Sequence, residues 1–258
     1  MCGIVGYLGE RDSLPIILNG LKRLEYRGYD SAGIAIYNGS TIASCKSKGK
    51  ISKLEKLLDK RKNMSGGIGI GHTRWATHGE PNDINAHPQF SNSKKLCLVH
   101  NGIIENYSTI KLKLIKEGFS FSSQTDTEVL VNLIEFIKNK NDVKLGEAVQ
   151  IALNQVIGAY AIAVIDDDKP DEIVVAKLGS PLCIGIGEGE HFIGSDVTPF
   201  IEYTKDVVYL EDGELAIIRN HKETFFRKIK DDSLISPTVS KLELSLDKIE
   251  KQGYDHYM

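Results

Sequence analysis

With 258 residues, 32 of them basic and 35 acidic, the chain is long enough to bury one large core, and its near-balanced charge excludes the basic stripe by which proteins track nucleic acid. Its apolar runs are strand-sized and its amino terminus meets charge at Glu10 and Arg11, a pattern that argues against a membrane span or signal peptide and predicts a cytoplasmic protein. Four cysteines, Cys2, Cys45, Cys97 and Cys183, lack CxxC spacing, which argues against a disulfide framework, a zinc site and a thioredoxin-like pair.

In chain order, the apolar run Ile4 to Leu8 predicts a buried strand. Leu14, Ile17, Leu18, Leu21 and Leu24 then recur at spacings of three and four, which predicts a helix with one apolar stripe. Strands are expected at Ile34 to Tyr37, Ile68 to Gly71 and Leu96 to Val99, and a helix at Ile103 to Glu117. Thr125 followed by Glu128 forms a capping-box pattern ahead of Val129, Leu130, Leu133, Ile134 and Ile137, so a further helix is expected there with Asp126 in its first turn. A last helix at Leu145 to Ile157 precedes strands at Tyr160 to Ile165, Ile173 to Lys177, Leu182 to Ile186 and Leu215 to Ile218. Strands and helices come in groups rather than in strict alternation. This predicts an α+β fold in which two mostly antiparallel sheets carry helices on their outer faces. Without an internal linker or repeat, residues 1–240 are expected to form one domain and the charged stretch 241–258 a tether toward something longer.

Cys2 follows the initiator methionine directly. Removal of Met1 would leave one residue carrying both a thiol and an α-amine. With ordinary pKa values of about 8.5 and about 7.7 to 8.0, these can serve as nucleophile and base together. The competing reading makes Cys2 an apolar residue at the start of a strand. Neighbouring blocks favour the first: LEYRGYDSAG from Leu24, HTRWATHGEP from His72, HNGIIENY from His100 and SQTDTE from Ser123.

With these blocks the chain resembles the glutaminase domain of the glutamine:fructose-6-phosphate aminotransferases, class II amidotransferases of the N-terminal nucleophile hydrolase superfamily. The resemblance runs from Cys2 to the C-terminus and implies a four-layer αββα sandwich. It implies that the Cys2 thiol attacks the side-chain amide of L-glutamine, giving a thioester and ammonia, and that Asn101 and Gly102 bind the developing oxyanion. Arg74 and Asp126 match the family's clamps for the α-carboxylate and α-ammonium. Thr77 and His78 match pocket residues, Trp75 belongs to a segment of roughly residues 74–82 that closes over substrate, and Arg27 matches a supporting arginine. Gly102 is expected to let the backbone approach the substrate.

The resemblance also implies sugar-isomerase domains as partners of the full-length, homo-oligomeric family. No cofactor is expected. The intervals between His72, His78, His87 and His100 fit neither HExxH nor another compact ligand pattern, so no metal is assigned. GGIGIG, from Gly66 to Gly71, fails the GxGxxG spacing and is expected to allow close strand packing. Two alternatives stay open: another class II amidotransferase or N-terminal cysteine amidase, and a non-catalytic glutamine-binding domain if Met1 is retained.

Overall fold

A computed structural model describes residues 2–220 and 222–243. Its first half runs β1 (Gly3–Leu8), α1 (Ser13–Arg23), β2 (Ser31–Tyr37), β3 (Ile42–Lys48), α2 (Ile51–Leu58), β4 (Ile68–Arg74), β5 (Gln89–Phe90) and β6 (Leu96–Ile104). Three helices follow, α3 (Tyr107–Lys116), α4 (Asp126–Asn141) and α5 (Leu145–Leu153). The remainder is β7 (Gly158–Asp166), β8 (Lys169–Leu178), β9 (Cys183–Ile186), β10 (His191–Gly194), β11 (Asp206–Tyr209), β12 (Glu214–Arg219), β13 (Phe225–Lys228), β14 (Leu234–Ile235) and β15 (Val239–Lys241).

The strands form an eight-stranded sheet in the order β15-β11-β9-β10-β1-β4-β2-β3 and a seven-stranded sheet in the order β14-β13-β12-β8-β7-β6-β5. Neighbouring strands pair antiparallel throughout, as at Val5 opposite Gly194 and Asn101 opposite Ala161. Ile4, Leu8, Ile68 and Ile70 of the first sheet pack on Val99, Ala161, Ala163 and Val175 of the second. Val5, Tyr7 and Ile34 face the other way, onto Ile17 and Leu21 of α1 and Leu54 of α2. On the far side, Ile162 and Val164 meet Leu130, Ile134 and Val149 of α4 and α5. The result is the expected helix-sheet-sheet-helix sandwich. Because the central strands are covered on both faces, they read as continuous apolar runs rather than alternating ones.

Two glycines of GGIGIG have a steric purpose. A Cβ on Gly69 would lie 2.8 Å from Ile17 Cδ1, and one on Gly71 would lie 2.4 Å from Ile17 Cγ2. The bare faces of β4 thus let α1 lie close against the sheet, while a Cβ on Gly66 would lie 2.0 Å from the Tyr37 carbonyl oxygen and one on Gly67 2.3 Å from that of Gly9, so helix and neighbouring backbone both pack closely here.

Several boundaries differ from expectation. β6 continues through Ile103 and Ile104, and α3 begins only at Tyr107, because these residues pair with Ala159 and Gly158 of β7. The helix expected to reach Ile157 ends at Leu153, just before Gly158 takes φ +134°. Half of the expected capping box forms: the Glu128 N–H donates to Thr125 Oγ1 (3.2 Å). The Glu128 carboxylate turns instead to the N–H groups of Ser122 (2.9 Å) and Ser123 (2.6 Å), bracing the segment that enters α4. Of the stretch 241–258, residues 244–258 lie outside the described residues. Lys241 pairs with Asp206 in β11, and the Leu242 N–H donates to the Lys205 carbonyl (2.8 Å).

Candidate active site

Cys2 sits just before β1, half-buried, with β4 beside that strand. Its sulfur accepts the Trp75 N–H at 3.2 Å. Burial pushes the thiol pKa up, and the Trp75 hydrogen bond and the charge of Arg74 only partly offset that. A neutral resting thiol therefore needs a base at the moment of attack.

Around this sulfur the fold closes a narrow cavity lined by Arg74, Trp75, Thr77, Gly102 and Asp126, together with His87, His100, Thr125 and Thr127. Four separated segments contribute: the start of β1, the end of β4 with its following loop, β6, and the first turn of α4. Arg74 is buried at the end of β4. Its Nη2 donates to the carbonyls of His78 and Gly79, tying down the loop, while Nη1 is buried without a partner among the described residues. Burial lowers the Arg74 pKa against the opposing pull of Asp30, Cys2 and Asp126. Asp126, also buried, accepts the Ile104 N–H at 2.8 Å through Oδ2. Arg74 and Asp126 thus present opposite charges to one cavity, the arrangement that a zwitterionic amino acid needs.

Asn101 lies beside Cys2. Its Nδ2 donates to the Cys2 carbonyl (3.3 Å) and to Ser195 Oγ (3.0 Å), while its Oδ1 is 2.9 Å from His72 Nε2. Gly102 lines the cavity, and its lack of a side chain also has a steric cause. Its φ is +129°, and a Cβ there would lie 2.0 Å from the Ala159 carbonyl oxygen of β7. The glycine is required by the neighbouring strand.

Trp75 is 55% exposed, and a Cβ on Gly28 would lie 3.2 Å from its ring. The His78 ring meets Tyr107 edge-on with centroids 5.0 Å apart, so it faces α3. Arg27 does not line the cavity; it pairs with Asp196 at 3.2 Å, next to the Ser195 that holds Asn101.

A family model described as glutamine amidotransferase domain matches residues 59–251. The chain belongs to this amidotransferase family. It is 57% identical, over its whole length, to the glutamine--fructose-6-phosphate aminotransferase [isomerizing] of Bacteroides thetaiotaomicron and 52% identical to that of Chlorobaculum tepidum, in each case covering 42% of the relative. The chain thus spans less than half the length of these curated relatives. Among solved structures, it resembles the glutamine phosphoribosylpyrophosphate amidotransferase from B. subtilis, with a TM-score of 0.76 and 28% identity over 89% of this chain and 50% of that one.

Several of these contacts have no signature in the amidotransferase sequence. His72 and His100 sit inside HTRWATHGEP and HNGIIENY, where no local pattern signals their hydrogen bonds to Asn101 and Thr127. Asp30, inside RGYDSAG, accepts the Ala76 N–H at 2.6 Å and so anchors the loop after Trp75. Ser195 carries no local signal, because it reaches Asn101 only through the pairing of β10 with β1. The His72 and His87 rings lie 4.4 Å apart. Burial holds His72, His87 and His100 below the ordinary histidine range.

Proposed function

We propose that this chain hydrolyses the side-chain amide of L-glutamine with Cys2 as nucleophile, and that it is the ammonia-supplying half of an enzyme making glucosamine 6-phosphate from fructose 6-phosphate. The observation that carries the reading is the convergence of Cys2, Arg74 and Asp126 on one cavity, with the Asn101 amide held against the Cys2 carbonyl beside it. Arg74, through its unpartnered Nη1, receives the α-carboxylate, and Asp126 receives the α-ammonium. The side-chain amide then falls toward the sulfur.

After loss of Met1, the α-amine of Cys2 takes the thiol proton and the sulfur attacks the amide carbon. Charge on the amide oxygen passes to the Asn101 Nδ2–H and the Gly102 N–H. The amine returns its proton to the leaving nitrogen, ammonia departs, and a thioester remains. Water then attacks the thioester carbon, glutamate leaves and the thiol is restored. The three buried histidines are poor candidates for the base, because their protonated forms are disfavoured. Trp75, Thr77 and His78 belong to the loop that excludes water while ammonia forms. Arg27 supports the site from behind through Asp196. The partners in this reading are L-glutamine and sugar-isomerase domains that consume the ammonia in a homo-oligomeric, cytoplasmic enzyme. No cofactor takes part.

The deciding experiment measures glutamate release from L-glutamine by protein whose mass shows Met1 gone, beside a Met1-retaining sample and Cys2→Ala. The processed protein should be active and both others inactive. Equal activity in Cys2→Ala would end the proposal.

A further inference from the structure

We propose that His72 is a positioning residue for the oxyanion-binding amide: its Nε2–H fixes which end of the Asn101 side chain faces the nucleophile. The proposal rests on the amide-hydrolysis reading above and adds to it the device that orients the amide.

An asparagine amide has a donor end and an acceptor end of nearly equal shape, so a flip changes the chemistry without changing the packing. Asn101 is buried between the sheets. On one side it meets the Cys2 carbonyl at 3.3 Å, a group that only accepts. On the same side lies Ser195 Oγ at 3.0 Å, which also receives the Ile4 N–H at 2.6 Å. A flipped amide would set its oxygen against the Cys2 carbonyl oxygen, so Nδ2 must face Cys2 and Ser195. Oδ1 is then left toward His72 Nε2 at 2.9 Å, and that nitrogen must carry the proton.

His72 is built to hold this role. It is fully buried on β4, and its ring lies 4.4 Å from that of His87 at 41°, which restricts its rotation. Its Nδ1 is buried with no hydrogen-bond partner among the described residues. Burial brings its pKa down to about 3 against the opposing pull of its own bond to Asn101, with the charges of His100 and Arg74 adding to the drop. The ring therefore stays neutral across the range in which a thiol amidase works, and its one proton stays on Nε2. Because β4 belongs to one sheet and β6 to the other, this hydrogen bond joins those from Asn101 to Cys2 and Ser195 in tying the two halves of the site together.

The test uses Met1-free protein carrying His72→Phe, which fills the space without a donor, and His72→Gln, which returns an N–H near the same place. His72→Phe should lower kcat for glutamate release by about 10- to 100-fold, less than the roughly 10²- to 10³-fold of a donor removed outright because the amide is misoriented rather than lost, and leave the KM for glutamine within about threefold. His72→Gln should recover most of the lost kcat. A His72→Phe enzyme with undiminished kcat, a loss confined to KM, or a Gln variant no better than Phe would overturn the proposal. Nitrogen-15 spectra of unsubstituted protein supply a readout that needs neither activity nor a folded variant. They should show His72 protonated at Nε2 alone and the Asn101 side-chain amide protons protected from exchange. Protonation at Nδ1 alone would refute the positioning role. If the unsubstituted protein released no glutamate, the hydrolase reading would fail, and these spectra would still decide the orientation of Asn101.

Discussion

At position 102 the backbone stands at φ +129°, and any Cβ would lie 2.0 Å from the Ala159 carbonyl oxygen. Gly102→Ala should therefore cost roughly 2 kcal/mol or more from strain and backbone displacement, read as a lowered urea midpoint; an unchanged midpoint would contradict the steric account. Asp126 has two duties, since Oδ2 caps the Ile104 N–H inside the protein while the carboxylate charge faces the cavity. Asp126→Asn retains an acceptor for Ile104 and removes the charge, so the KM for glutamine should rise by about tenfold or more, the scale of a lost charged contact. Thermal stability should change little in the same variant, and a KM equal to that of the unsubstituted protein would remove Asp126 from the clamp. The motif residues were legible one by one because their chemistry is local: a thiol at position 2, a guanidinium in HTRW, an amide in HNG. Ser195 and the His72 to Asn101 bond were not, since neither follows from the residues flanking it.

Helix α4 begins on Thr125, whose Oγ1 accepts the Glu128 N–H. Thr125→Ala should cost about 1 kcal/mol by loss of the N-cap, checked by chemical denaturation; no loss would mean that the Ser123 and Glu128 contacts hold the turn alone. That helix was readable from its capping residues and from Val129, Leu130, Leu133 and Ile134. Elements of another kind escaped. β3 (IASCKSK) is an edge strand whose outward positions are polar, while β10 (HFIG) and β11 (DVVY) have only four residues each. Runs that short carry too little periodicity to stand apart from loops, and they become strands because β1 and β9 offer open edges. Residues 103–104 show the reverse case. Their apolar character fits a helix as well as a strand, and pairing with β7 decides it.

Across the whole molecule, three buried neutral histidines link stability to pH. In the unfolded chain His72 titrates near 6.5, and in the fold near 3, so below 6.5 the unfolded state binds more protons. The stability is fully present above pH 6.5 and falls as the pH drops toward 3; His72 alone contributes a loss of about 2 kcal/mol at pH 5. His87 and His100 shift in the same direction. Urea midpoints at pH 7.5 and 5 should fall farther apart for the unsubstituted protein than for His72→Gln, and equal gaps would exclude His72 as a source. The sequence by itself determined the class of fold, because grouped β-branched runs and amphipathic stripes are local records of which faces are buried. It also supplied the chemical groups of the proposed site, because a thiol, a guanidinium and a carboxylate are properties of residue type. Only the tertiary structure decided how those parts meet, since the start of β1, the end of β4, β6 and the head of α4 converge through strand pairing and sheet stacking. Those contacts join residues as far apart as Asn101 and Ser195, and no pattern within one segment encodes them.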